Sequence, residues 1–166
     1  MKKTVLAMLV VIVCTGLSAT AHAFTVDTTF DVNITVVEAC TVTATGLSFP
    51  DYASGSSSVF GESNITVTCG NTIPYNIALD GGLNLLSGAR RLIQGGNRLI
   101  YWLYQEGAFT NQWGDSGFGD TYTNGVPKAG IGTGSPQIHT VYGWLAAGQN
   151  APTGLYSDTI TVTVNY

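Results

Sequence analysis

The chain has 166 residues and a formal net charge of −4, with 45% hydrophobic and only 10% charged side chains. A phosphate backbone is held by clustered Lys and Arg, so this composition excludes a nucleic-acid surface. Nucleic acid is not an expected partner.

The first residues read as a processing signal. Met1-Lys2-Lys3 is basic, Thr4 to Leu17 is apolar, and Ala21-His22-Ala23 is a small-x-small site. This pattern predicts a secretory signal peptide over 1–23, cut between Ala23 and Phe24, whose apolar core is too short for a membrane anchor. A lipid anchor at Cys14 is the rival reading, but Val11-Ile12-Val13 lacks the small residues such a site carries. The predicted mature chain has 143 residues (166 − 23), enough for one domain with a real core. Its basic residues are Arg90, Arg91, Arg98 and Lys128 against ten acids, a net charge of −6.

Phe24 to Val37 alternates without a Gly or Pro. Val26, Thr28, Phe30, Val32, Ile34 and Val36 share one face, and Thr25, Asp27, Thr29, Asp31, Asn33 and Thr35 the other. This is the period of a β-strand with one buried face, and it is longer than most strands. A terminal segment of this kind needs a sheet to join. Cys40 and Cys69 are the two cysteines left after cleavage, and in an oxidising compartment they read as a disulfide.

Further strands are predicted around Ala39–Val42 and Leu47–Phe49, then over Asn64–Cys69 and Ile73–Leu79 up to an Asp80-Gly81-Gly82 turn. Leu99–Tyr104 is apolar on both faces, which suits a central or covered strand. Gly107–Gly134 is rich in Gly, Asn and Asp and is expected to hold little regular structure. Gln137–Leu145 and Tyr156–Tyr166 close the chain as strands. No stretch has helical periodicity. Many short strands and frequent turns predict an all-β sandwich of immunoglobulin type. In the last strand Ile160, Val162, Val164 and Tyr166 face one way, and nothing follows to pair with its open side. Natural proteins cover such apolar edges.

Catalytic constellations are weak. His139 is the one histidine of the predicted mature chain and lies in a strand-like segment, and Ser135 and Ser157 have no nucleophile-elbow context. Asp115 and Asp120 do not match a calcium loop, and Gly130–Gly134 lacks the lysine of a phosphate loop. No enzyme activity, metal or cofactor is expected. Trp102, Trp113, Trp144 and the tyrosines offer a carbohydrate-platform alternative, although alternating aromatics more often pack a core.

The ordered motifs resemble those of spore coat protein U domains and Csu-type pilins, the subunits of archaic chaperone–usher pili. RLIYWLYQE at Arg98–Glu106 followed by Trp113-Gly114-Asp115 is similar to the family's mid-domain signature. EACTV at Glu38–Val42 and ITVTC at Ile65–Cys69 match its paired cysteines, HTVYGWLAAGQ at His139–Gln149 its penultimate segment, and GLYSDTITVTVNY at Gly154–Tyr166 its closing strand. Trp144 and Glu106 depart from the common Arg and Asp.

The resemblance implies an incomplete immunoglobulin-like β-sandwich lacking its last strand, completed by the N-terminal donor strand of a neighbouring subunit. Residues 24–36 would be the donor, residues 37–166 the pilin domain, and Ile160, Val162, Val164 and Tyr166 the chaperone-docking strand. Implied partners are identical or related pilin subunits, a periplasmic chaperone and an outer-membrane usher. The implied product is an adhesive cell-surface pilus supporting attachment and biofilm formation. The alternative is a self-complemented secreted coat or carbohydrate-binding domain.

Overall fold

A computed structural model describes residues 24–37 and 39–166. The predicted signal peptide, Cys14 and the Ala23 side of the predicted cleavage point lie outside the described residues. The N-terminal unit is described over residues 24–35, and the compact unit is Val36–Tyr166. Among residues 24–35 none takes regular secondary structure and the apolar side chains are exposed, Val26 97% and Phe30 84%.

The compact unit is all β, a two-layer immunoglobulin-like sandwich. Its strands are β1 (Cys40–Ala44), β2 (Val59–Cys69), β3 (Pro74–Leu79), β4 (Arg90–Gln94), β5 (Asn97–Tyr104), β6 (Lys128–Ile131), β7 (Gln137–Leu145) and β8 (Val162–Asn165). One sheet runs β1-β2-β7-β5-β4 and the other β6-β3-β8. Every ladder is antiparallel.

Period-2 alternation builds the core. Ile65, Val67 and Cys69 of β2, Tyr75, Ile77 and Leu79 of β3, Tyr101 and Leu103 of β5, and Val141 of β7 meet between the sheets, each at most 5% exposed. Leu47 and Phe49 alternate but form no strand. Their side chains instead fill the inner face where Gly61 and Gly143 carry none. A Cβ on Gly143 would stand 2.9 Å from Leu47 and 3.0 Å from Phe49.

The structure departs from simple alternation in three further places. The Gly107–Gly134 stretch holds the short strand β6, and the glycine run that ends it serves packing, since a Cβ on Gly130 would overlap the Tyr75 ring. Arg90–Gln94 forms a strand whose first side chain is a buried cation. The expected closing strand over 156–166 is a ladder only at Val162–Asn165. Upstream, Ser157 bridges to Ile93 of the larger sheet, so residues 157–161 cross between layers.

Cys40 is bonded to Cys69 and joins the start of β1 to the end of β2, where the two residues are direct ladder partners. Cys40→Ser should lower unfolding stability by about 2–5 kcal/mol. Urea denaturation of the oxidised mature chain against the variant measures this, and overlapping curves would show that the bridge is dispensable.

Candidate functional site

The sandwich is open between β1 and β8. Gly70 N donates to Ala39 O and Thr45 N to Asn64 O, so the odd residues of β1 turn their main-chain groups to β2. Successive residues of a strand point these groups to opposite sides, which leaves the N–H and C=O of Val42 and Ala44 facing outward from the sheet. On β8, Asp80 N donates to Thr161 O at 3.1 Å and the register continues through Thr163 to Asn165. The main-chain groups of Val162 and Val164 therefore face away from β3. Both edges carry inward side chains that are only half buried, Val42 on one rim and Ile160, Val162 and Val164 on the other. Tyr166 lies beyond the strand and is 59% exposed.

Between the rims lies a cavity of about 280 Å³. One wall is Ala44, Gly46, Leu47 and Phe49, the other Asp158, Ile160 and Val162. The floor includes Ile65, Leu79, Leu92, Tyr101, Leu103 and Val141. Toward the disulfide end the cavity stops short of Val67 and Ile77, which are fully covered.

Polar groups hold the rims. Asp158 accepts from the backbone and side-chain nitrogens of Asn84, and the Tyr101 hydroxyl donates to it at 2.7 Å. Burial, and then this bond, push the Tyr101 pKa far up, which keeps the hydroxyl a donor. Asp80 Oδ1 accepts from Gly82 N and Thr161 N, both at 2.9 Å, fixing the turn and the entry to β8 together. Arg90, fully buried, donates to the carbonyls of Leu79, Asp80 and Trp113 and stacks 3.9 Å from the Tyr122 ring centroid. Burial pulls its pKa down, with Tyr122, Tyr101, Asp80 and Asp115 opposing. A planar five-donor cation suits carbonyls at the end of β3 and in the Trp113 loop.

The Trp113-Gly114-Asp115 motif belongs to this frame. Trp113 is fully buried and its Nε1 donates to Ile77 O at 2.8 Å. Asp115 accepts from Thr121 N and Oγ1 and from Tyr122 N. Burial raises its pKa, but those hydrogen bonds outweigh burial and hold it low. Asp120 caps Gly117 N. Both carboxylates thus order their own loop, and no group of three or more metal-ligating side chains occurs among the described residues. Trp102 and Trp144 stack at 5.3 Å on the outer face, under Phe109 and Tyr104, away from the groove. The structure thus brings together Ile160 and Val162 with the β1 wall but does not cluster the three tryptophans.

The match to known proteins follows the same elements. A family model of the Spore Coat Protein U domain matches residues 26–163. The chain belongs to that family. Protein U of Myxococcus xanthus is 30% identical over 116 residues, 65% of this chain and 61% of that protein. The fold of this spore coat U domain is shared with a chain of the CsuC–CsuE chaperone–tip adhesion subunit pre-assembly complex from archaic chaperone-usher Csu pili of Acinetobacter baumannii. The TM-score is 0.58 at 21% identity, covering 80% of this chain and 40% of that one. The chain spans less than two thirds of either relative. The family is structural and not enzymatic.

His139, weighed above as a catalytic base, instead ties the layers together. Its Nε2 lies 2.9 Å from the Tyr75 hydroxyl, across the sandwich. Burial, then repulsion from Lys128, lowers its pKa below the ordinary histidine value. The unfolded chain therefore takes up a proton before the folded one does. This contribution to stability is complete above the ordinary histidine range and is lost as pH falls through it toward the lowered folded value. Urea midpoints should drop between about pH 7.5 and pH 5, and His139→Asn should flatten that slope. Parallel slopes for the two proteins would refute the assignment.

Proposed function

We propose that this chain is a structural subunit of a surface pilus assembled by the chaperone–usher pathway through donor-strand complementation. The observation that carries the reading is a pair of facts. The sandwich has an open groove between two unpaired edges, and the segment at 24–36 alternates as a strand yet belongs to no ladder among the described residues. Donor-strand addition supplies a ladder of main-chain bonds, and alternate side chains supply specificity. The occupant of one subunit's groove is the N-terminal segment of the next, with Val26, Phe30, Val32, Ile34 and Val36 turned inward and Thr28 a weaker plug. Five apolar side chains at about 1.5–3 kcal/mol each contribute about 8–15 kcal/mol before ordering costs.

Before assembly a periplasmic chaperone covers the same edge, docking along Ile160, Val162, Val164 and Tyr166, and an outer-membrane usher exports the subunit. Cleavage between Ala23 and Phe24 frees the donor. The fibre lies outside the cell and serves attachment and biofilm formation. The archaic-pilus fold likeness and the family membership both favour this reading over a catalytic or metal-binding one.

A synthetic peptide of residues 24–36 added to the mature chain should raise its melting temperature steeply, since it binds the native state alone. Phe30→Asp in the peptide should abolish most of that rise, because a charge buried in the groove has no partner, whereas Asp31→Ala should leave it nearly intact. Equal effects at the two positions contradict the assigned face. A stable monomer that ignores every peptide means that the segment completes its own domain.

A further inference from the structure

We propose that Phe30 of a second copy of this chain seats in the cavity between Gly46 and Ile160 and thereby sets the register of the incoming strand. The inference rests on the donor-strand reading and adds to it which side chain goes where. Along the groove, room is concentrated in one place. Toward the disulfide Val67 and Ile77 are fully covered and lie outside the cavity lining. Over Gly61 and Gly143 the space is taken by Leu47 and Phe49. Between these, the wall residue is Gly46, where a Cβ would meet nothing within 4 Å, and the floor residue is the small Ser63.

The segment is matched to this profile. Of its six alternating residues, Val26, Thr28, Val32, Ile34 and Val36 are all branched at Cβ, stiff and short in reach. Phe30 carries the one ring among these six; Phe24, on the same face, is the segment's first residue and would leave one side of the cavity without a flanking inward residue. A closed apolar cavity of roughly 150 Å³ already holds a benzene ring, and the groove offers about 280 Å³. Phe30 is third of the six, so inward-facing residues flank it on both sides in either strand direction. A one-step slip would put a short valine or threonine in the cavity and leave the ring outside it, which makes the register self-checking.

The test uses the mature chain and fluorescent peptides of residues 24–36, read by anisotropy. Phe30→Ala in the peptide should weaken binding at least about tenfold, and Val32→Ala distinctly less. Gly46→Leu fills the cavity without backbone strain, so it should weaken the parent peptide and narrow or reverse its advantage over the Phe30→Ala peptide. Equal losses for Phe30→Ala and Val32→Ala, or a Gly46→Leu groove that weakens both peptides alike, would overturn the proposal while leaving donor-strand completion intact. Failure of the parent peptide to bind removes both. Should Gly46→Leu fold poorly by circular dichroism, the peptide series on the parent groove decides alone.

Discussion

Two strand edges face each other across a core that neither sheet closes. On β1 the main-chain groups of Val42 and Ala44 have no ladder partner, and on β8 the same holds for Val162 and Val164, while the side chains of these rims lean inward over Leu79, Leu103 and Val141. Water can satisfy the exposed N–H and C=O groups, but it cannot satisfy the half-buried apolar side chains of Val42, Ile160, Val162 and Val164 along the rims. A bound strand satisfies both at once. The remainder of the architecture fixes the shape of the groove between the two edges.

Shape requires rigid rims, and the polar groups provide them. Residues 157–161 leave the larger sheet at Ser157 and join the smaller one at Thr161, a crossover that side-chain hydrophobicity alone would not hold. Asp158 is bound to Asn84 and Tyr101, Asp80 to Gly82 and Thr161, and Arg90 locks the Asp80 carbonyl behind them. Asp158, Tyr101, Asp80 and Arg90 thus each have a partner, so the network orders the rim instead of destabilising it. A rim ordered in advance lowers the entropy lost when a strand docks.

Where alternation and burial coincide, the sequence is readable. Ile65-Val67-Cys69 and Tyr75-Ile77-Leu79 report their strands because each inner position is filled by its own side chain. Leu47-Phe49 carries the same pattern and forms no strand, because its side chains fill space vacated by Gly61 and Gly143 on other strands. For the same reason the first half of β2 lacks the signal. At β4 the inner residue is Arg90, whose charge is balanced by carbonyls distant in sequence, a relationship no local period records. The missing neighbour of the last strand is legible from Ile160 to Val164. The cavity at Gly46 is not, since a glycine marks only an absence until its surroundings are known.

Amide hydrogen exchange at the two edges tests the open-groove account most directly. In the isolated mature subunit Val42, Val162 and Val164 should exchange quickly while Thr43 and Thr163, which face ladder partners, are protected. On polymerisation, or on saturation with the peptide of residues 24–36, the three fast amides should become protected and the other two change little. Slow exchange at Val162 and Val164 in the isolated subunit, unchanged by polymerisation, would show that the edge is already paired and that no strand from another copy is needed.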